Sequence, residues 1–178
     1  EIAADDKGVS VAFERSSAQR FDLVIGADGL HSNVRRLVFG PESDYATWIG
    51  AYLAVASVPN YLDLRDRMVV TYGVDRMAGL YSAAQMADAR AVFLFRPPRQ
   101  IDYDYRDVAA QKRFLREAFE GLGPRVTRLL DEADRSASFY LDSITQLQMP
   151  SWSRGRVSLV GDAGYCPGPA VGGSTSLA

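Results

Sequence analysis

Apolar and polar residues alternate over much of the chain with the period of two that is typical of β-strands. A hairpin is predicted near the start, where Val9 and Val11 alternate with Ser10 after a turn over residues 5–8. Residues 48–97 contain further runs with this period and many aromatic side chains, and these runs predict an antiparallel sheet with strands at 51–58, 68–72, 77–82 and 91–95.

Two apolar runs without alternation, 21–25 and 156–160, predict buried strands. A short helix should follow the first run, capped by Ser32 and ended by Gly40 and Pro41. Helical spacing of apolar residues at 114–122 and 126–133 predicts two helices that cover the sheet, and 138–149 reads as another strand. The predicted fold class is therefore mixed α/β.

Composition indicates an ordinary globular chain. Of the 178 residues, 47% are apolar and 24% charged, and the formal net charge of −2 argues against binding nucleic acid through bulk charge. All the basic residues except Lys7 and Lys112 are arginine, which reflects either phosphate or carboxylate ligands or the coding habit of the genome. One cysteine, Cys166, and one histidine, His31, argue against disulfides and zinc, so we expect no metal and a cytoplasmic location.

Targeting and membrane segments are not evident either. No secretory signal opens the sequence, and the longest uncharged strand-like run is too polar to cross a bilayer, so we expect no membrane insertion.

Both apolar runs end in a turn that contains glycine and aspartate, Asp28-Gly29 in the first case and Gly161-Asp162 in the second. In open α/β folds, ligands bind beyond the carboxyl ends of the strands, where glycine lets the backbone approach and a carboxylate accepts bonds from sugar hydroxyls. An uncharged Gly/Pro loop follows the second turn and leads to a predicted helix start near Gly172, which suits an electron-rich ligand. Either turn alone is commonly just a turn.

Together these motifs resemble those of the FAD-dependent aromatic hydroxylases, the class A flavoprotein monooxygenases. Residues 28–35 match D-G-x-x-S-x-x-R after a strand, and residues 161–172 match G-D-A-x-x-x-x-x-P-x-x-G. The resemblance implies that Asp162 binds the flavin ribityl chain and that Asp28 and Arg35 help to hold the dinucleotide. The implied cofactor site comprises Asp28, Gly29, Arg35, Gly161, Asp162, Pro169, Gly172 and Gly173.

The resemblance also implies domains and a substrate surface. Residues 1–45 and 150–178 would be parts of a Rossmann-like FAD/NAD(P)-binding domain, with an inserted substrate domain of antiparallel sheet and covering helices at 46–149. Side chains that could share one face of that sheet and contact substrate are Tyr72, Tyr81, Phe93 and Phe95, together with Arg96. Their alternative role is as core aromatics of a half-buried sheet.

The implied function is a monooxygenase that uses FAD, NAD(P)H and O2 to oxygenate an aromatic or polyketide-like molecule through a flavin hydroperoxide. No catalytic residue is assigned. His31 reads as a surface residue rather than a base, and Cys166 as a small residue lining the cofactor loop rather than a flavin tether. Three positions depart from the family pattern, since Tyr165, Ser174 and Ser176 replace its usual His, Gly and Asn.

The family's G-x-G-x-x-G fingerprint is not found in this sequence, which lacks an initiating Met, so we expect it to be the middle of a longer protein. Two alternatives remain open. One is another flavin oxidoreductase or a halogenase on the same scaffold. The other is a non-catalytic module that holds an aromatic ligand without FAD.

Overall fold

The computed structural model describes residues 1–104 and 106–168. Three of the predicted cofactor residues, Pro169, Gly172 and Gly173, lie outside the described residues. The chain divides into two compact units, of which the first comprises residues 1–49 and the described part of 145–178, and the second residues 50–144.

The first unit contains two small sheets. Strands β1 (Ile2–Asp5), β2 (Gly8–Val11) and β3 (Gln19–Phe21) form an antiparallel sheet in chain order. The other sheet consists of β4 (Val24–Gly26), β10 (Ser153–Arg154) and β11 (Val157–Leu159), in the order β10-β11-β4. A core of six buried residues joins these strands to helix α1 (Asn33–Val38) and comprises Val9, Phe39, Met149, Val157, Leu159 and Ala163.

The single strand predicted over 21–25 is wrong, because the run is divided between β3 and β4, which lie in different sheets. Arg156 holds the break between them: its guanidinium donates to the Asp22 carbonyl at 3.1 Å, and its own carbonyl accepts from the Val24 N–H at 3.0 Å. As a result, Leu23 and Ile25 are more than half exposed. Apolarity alone therefore overstated the burial of this run.

The second unit is organised around a five-stranded antiparallel sheet of order β6-β7-β8-β5-β9. Its strands are β5 (Ala46–Val58), β6 (Arg67–Gly73), β7 (Arg76–Ser82), β8 (Ala89–Phe95) and β9 (Phe139–Leu147). Helices α2 (Val108–Ala118) and α3 (Pro124–Arg135) follow β8 in the chain. Asp107 caps α2 by accepting from the Ala110 N–H, and Pro124 occupies the first turn of α3, where a missing N–H costs nothing. The alternation of apolar and polar residues thus predicted the positions of these strands well.

Both helices pack on one face of the sheet. Phe93 lies 5.2 Å from Phe119 between ring centroids, and Phe95 contacts the rings of Phe114 and Phe119 at 5.4 and 5.6 Å. Tyr52 stacks on Phe95 from the neighbouring strand. These aromatic contacts form the core of the second unit, and aromatic pairs of this kind each contribute roughly 0.5–1.5 kcal/mol beyond their area burial.

The expectation that four aromatic residues share one face of this sheet is wrong. Phe93 and Phe95 are 0% and 3% exposed beneath the helices, whereas Tyr72 and Tyr81 lie on the other face, 76% and 36% exposed. The register explains the split, because Tyr81 pairs with Arg90, an odd number of residues from Phe93, and successive side chains of a strand point to opposite faces. The packing therefore places Phe93 and Phe95 in the core.

No helix within the described residues is long and apolar enough to cross a membrane. Across the same residues, no group of three or more His, Cys, Asp or Glu side chains is arranged to hold a metal ion.

Candidate functional site

The two Gly/Asp turns lie at the same edge of one sheet in the first unit. Strands β4 and β11 are parallel and in register, with Val24 opposite Val157 and Gly26 opposite Leu159. The Val160 N–H donates to the Gly26 carbonyl at 2.9 Å, which extends the pairing to the end of both strands. Since the strands end together, the segments that follow them, 27–29 and 160–162, emerge side by side. This edge is where α/β folds bind ligands.

Gly26 permits this close packing. A Cβ atom at Gly26 would lie 2.7 Å from Leu159 Cδ2 and 2.9 Å from Val34 Cβ, distances that real Cβ atoms do not tolerate. Strands β4 and β11 and helix α1 can therefore converge only because residue 26 lacks a side chain.

Asp28 fastens the first turn to the start of α1. One of its carboxylate oxygens accepts the Ser32 hydroxyl, and the other accepts the Val34 N–H at 3.0 Å. Ser32 in turn accepts the Arg35 N–H at 2.9 Å, as its predicted capping role requires. Both oxygens of Asp28 thus already have partners within the protein.

These contacts shift the pKa of Asp28 below its ordinary value. Partial burial acts to raise the pKa, but it is outweighed by hydrogen bonds from Ser32 and from the backbone at Val34, which favour the charged form. Asp28 consequently presents a stable negative charge at the end of β4.

Arg35 connects the two turns. Its side chain is almost completely buried, and the guanidinium donates to the Ala163 carbonyl at 2.9 Å and also to the Leu30 carbonyl. A salt bridge of 2.7 Å to Glu42 neutralises the charge. Among the described residues, the Nε atom of this guanidinium has no hydrogen-bond partner. The hydrogen bonds and the salt bridge of Arg35 therefore stabilise the protein itself. A direct contact of Arg35 with a dinucleotide stays a prediction.

Glu42 and Ala163 are two site residues that sequence reasoning missed. Glu42 lies in the short 3-10 turn Glu42–Asp44, where it binds Arg35 and also lies 3.0 Å from Nδ1 of His31. The one hint of these partners in the sequence is the position of Arg35 on a short helix with an apolar face. An arginine that is buried needs a carboxylate and carbonyl oxygens around it. His31 is more than half exposed and engages Glu42, as befits a surface residue.

Open space lies over the backbone at both turns. Gly29 and Gly161 have φ angles of +80° and +60°, and apart from the adjacent residues in the chain no atom of the described residues lies within 4 Å of the Cβ position of either glycine. The carboxylate of Asp162 is exposed beside them. A ligand could therefore approach both strand ends closely and find an acceptor there.

Cys166 lies below the second turn and is buried. Burial raises the pKa of its thiol, the Gly168 backbone opposes this effect, and the neighbouring Asp162 carboxylate adds to the rise. Its backbone pairs with Leu147 in both directions, with N–O distances of 2.6 and 3.2 Å. A neutral, buried thiol is consistent with a lining role rather than with a reactive one.

The open face of the second unit's sheet carries the other candidate residues. Tyr72 and Tyr81 project from it beside Met68, which is 45% exposed, while Arg96 lies in the exposed segment just beyond β8. On β8 and β5 this face carries half-buried apolar residues, among them Leu53, Val55, Val92 and Leu94, together with the polar pair Arg90 and Ser57 near Tyr81. Sheet faces in contact with water alone are usually polar, so this face is suited to an apolar or aromatic partner.

No protein-family model matches the chain. Among curated proteins, an uncharacterized protein of Mycobacterium tuberculosis strain H37Rv is 47% identical over 174 residues, 98% of this chain and 46% of that protein. A flavin-dependent monooxygenase of Legionella longbeachae is 39% identical over 177 residues, 99% of this chain and 45% of that protein. The chain thus spans about half the length of the curated relatives it matches.

Solved structures also match nearly the whole of this chain and about half of their own length. The crystal structure of the tetracycline destructase Tet(51) superposes with a TM-score of 0.87 at 40% identity, covering 98% of this chain and 47% of that one. Klebsiella pneumoniae HpxO, complexed with FAD and uric acid, gives a TM-score of 0.71 at 25% identity over 98% of this chain and 44% of its own.

The fold is thus that of a segment of the flavin-dependent monooxygenases. The mixed α/β class is confirmed, and so is the resemblance to FAD-dependent hydroxylases that the two motifs indicated. The similarity extends over nearly the whole chain rather than over the motifs alone.

Proposed function

We propose that this chain is part of an FAD-dependent monooxygenase that inserts oxygen from O2 into a planar, electron-rich small molecule, with NAD(P)H as the electron donor. The observation that carries the proposal is the in-register parallel pairing of β4 and β11. It brings two Gly/Asp turns, distant in sequence, to one sheet edge with open space over both glycines. The names of the relatives support the same class.

The described residues fit FAD. Gly29 and Gly161 leave room over the backbone for a ribityl chain or a pyrophosphate, and the exposed carboxylate of Asp162 would accept bonds from ribityl hydroxyls. FAD binding by HpxO, which shares this fold, supports the assignment. Pro169, Gly172 and Gly173 complete the proposed cofactor contacts.

When bound, FAD supplies the redox chemistry, accepting electrons from the nicotinamide and activating oxygen. The protein's own residues hold and orient it. Asp28, with both oxygens engaged, sets the geometry of the first turn, and Arg35 fixes the second turn through its bond to the Ala163 carbonyl.

The substrate class follows from the open sheet face and from the relatives. Tyr72 and Tyr81 offer aromatic surfaces among half-buried apolar residues, which suits a flat ring system. One structural neighbour is named for tetracycline and another was crystallised with uric acid, both of which are fused-ring molecules rich in oxygen. We therefore propose an aromatic or polyketide-like substrate, and a cytoplasmic location in keeping with the single cysteine.

Flavin binding is tested by a matched pair of glycine variants in the protein expressed from its full gene. Gly161→Ala and Gly155→Ala both place a methyl group at a left-handed backbone position, φ +60° and +58°, with open space around it. Each should lose about 1–2 kcal/mol of stability from the strained backbone. Only Gly161→Ala should also weaken FAD, which quenching of flavin fluorescence measures. Equal FAD affinity in the two variants would contradict the site.

Asp162→Ala provides a second test, with Asp88→Ala as the control because Asp88 is also an exposed aspartate but lies in the second unit. Asp162→Ala should lose most of the FAD, and Asp88→Ala should retain it. The activity itself is tested by substrate-stimulated NAD(P)H oxidation with an oxygenated product. Flavin reduction without such a product would favour a different flavin oxidoreductase, and a full-length protein with no affinity for flavin would exclude the proposal.

A further inference from the structure

A pocket opens on the helix-covered side of the sheet in the second unit. Its volume is about 550 Å³, within the range of small-molecule sites, and it lies between the β6–β7 hairpin, the first half of α3 and the loop over residues 61–64. Apolar side chains form its walls, namely Leu62, Leu64, Val69, Leu80, Val126 and Leu129. Because Val69 and Leu80 point to the face opposite Tyr72 and Tyr81, the sheet separates this pocket from the candidate substrate surface.

The pocket leaves apolar surface uncovered. The central strand β8 is sealed by the aromatic contacts of α2, whereas β6 is the edge strand, and Val69 on it is 36% exposed. Leu62, across the pocket, is 46% exposed. Apolar walls that meet water within a concave site are the usual feature of a ligand-binding pocket.

The charges along α3 are distributed unevenly. Near its end, Asp131 and Asp134 pair with Arg116 of α2, and Glu132 pairs with Arg135. At its start, Arg125 and Arg128 line the pocket, and neither forms an ion pair with a described residue. The mouth of the pocket therefore carries two cations, and the acidic residue near it, Glu132, is already paired with Arg135.

Tyr61 gives the basic mouth a fixed shape. The Arg128 guanidinium stacks over the Tyr61 ring with 3.9 Å between its carbon and the ring centroid, which orients the cation without neutralising it. Burial raises the pKa of Tyr61, an effect that Arg128 opposes and Glu132 reinforces, so the phenol keeps its proton and can donate a hydrogen bond.

The loop that carries Tyr61 is held in one conformation. The Asn60 side chain donates to the Leu64 carbonyl and accepts the Leu64 N–H, both at 2.9 Å. Asp63 and Asp66 have φ angles of 48° and 52°, a left-handed conformation that costs free energy for residues other than glycine. A closed loop of this kind forms a wall before any ligand arrives.

We propose that this pocket binds a small amphipathic anion, with a flat apolar body against Val69, Leu80 and Leu129 and a carboxylate between Arg125 and Arg128. Two arginines with no acidic partner select the charge, since guanidinium groups match carboxylate geometry. The volume of the cavity suits an apolar body made of one ring or of two fused rings. This site uses none of the residues assigned to FAD, so it stands whether or not the flavin proposal holds.

The probes for this site are 2-naphthoate and its neutral counterpart 2-naphthamide, titrated calorimetrically into the protein. We expect naphthoate to bind about tenfold more tightly than naphthamide, because only naphthoate pairs with the arginines. The double substitution Arg125→Gln and Arg128→Gln should remove that preference while leaving the affinity for naphthamide unchanged. Arg113→Gln, at an exposed position on α2 that does not line the pocket, should alter neither affinity.

Val69→Trp tests the apolar part of the pocket. Val69 is partly exposed on the edge strand, so an indole there should fill the pocket without disturbing the core, and both probes should lose at least about tenfold in affinity. Three results would overturn the proposal. The first is equal affinity for the two probes, which would indicate a general apolar groove suited to a protein partner. The second is binding that Val69→Trp leaves unchanged, and the third is no binding of either probe.

Discussion

The guanidinium of Arg35 donates a hydrogen bond of 2.9 Å to the carbonyl oxygen of Ala163, which is 128 positions further along the chain. This single bond joins the helix that follows the first Gly/Asp turn to the 3-10 turn Gly161–Ala163. Together with the pairing of β4 and β11, it makes the two turns one rigid edge. The geometry of the candidate flavin site thus depends on a buried cation that need not touch the ligand.

Arg35→Met should destabilise the first unit strongly. The substitution leaves the Leu30 and Ala163 carbonyls without their donor and Glu42 with only the exposed His31 as a partner, and removing one member of a buried pair costs about 3 kcal/mol. Urea unfolding would measure the loss. Arg36→Met is the control, since Arg36 is an exposed neighbour whose side chain donates to Asn33, and it should cost less than about 0.5 kcal/mol. Similar losses for the two variants would contradict the assigned role of Arg35.

Asp28→Asn should make the free energy of unfolding less dependent on pH between pH 7 and pH 3. Because the pKa of Asp28 is lowered by folding from its ordinary 3.8, the charged carboxylate stabilises the native state above that pH. The contribution is lost as the pH falls through the lower, folded value. At pH 7 the variant should be about 1 kcal/mol less stable through its weakened cap, and the difference should shrink towards pH 3. Urea midpoints across this range measure it.

Asp88→Asn, at an exposed position in the second unit, corrects this comparison for the change in net charge. A difference between wild type and Asp28→Asn that stays constant from pH 7 to pH 3 would show that the charge of Asp28 does not support the turn.

Phe93→Ala and Tyr72→Ala should have very different effects on stability. Phe93 is fully buried against Phe119, so its removal should cost roughly 3–5 kcal/mol. Tyr72 is 76% exposed on the other face, so its truncation should change the free energy of unfolding by less than about 0.5 kcal/mol. Thermal or urea unfolding decides the matter, and a large cost for Tyr72→Ala would mean that its face is covered.

The positions of the strands in the second unit were predictable because apolar and polar residues alternate along them. The runs predicted at 68–72 and 77–82 correspond to β6 and β7, and the two-residue connection between them leaves little freedom in the register. Which face a given side chain occupies was not predictable, because both faces of this sheet are apolar. Phe93 and Tyr72 look alike in sequence, and only the arrival of α2 on one side distinguishes them.

The candidate site was only partly predictable for a different reason. The Gly/Asp turns were visible as local motifs, and the capping role of Ser32 followed from its position before α1. The burial of Arg35 was not visible, because a buried arginine is rare and its partners, Glu42 and the Ala163 carbonyl, are set by the fold. The exposure of Ile25 was missed since β4 pairs on only one side within the described residues.

The parallel pairing of β4 with β11 has a consequence for the order of folding. All of the second unit lies between these strands in the sequence, so the ribosome completes that unit before β11 emerges. Pairings between distant segments form slowly because a long loop must close first. During synthesis, β4 therefore waits with its edge towards β11 unpaired and Val24 without its core neighbours, and in this interval the nascent chain is most open to aggregation or to capture by a chaperone.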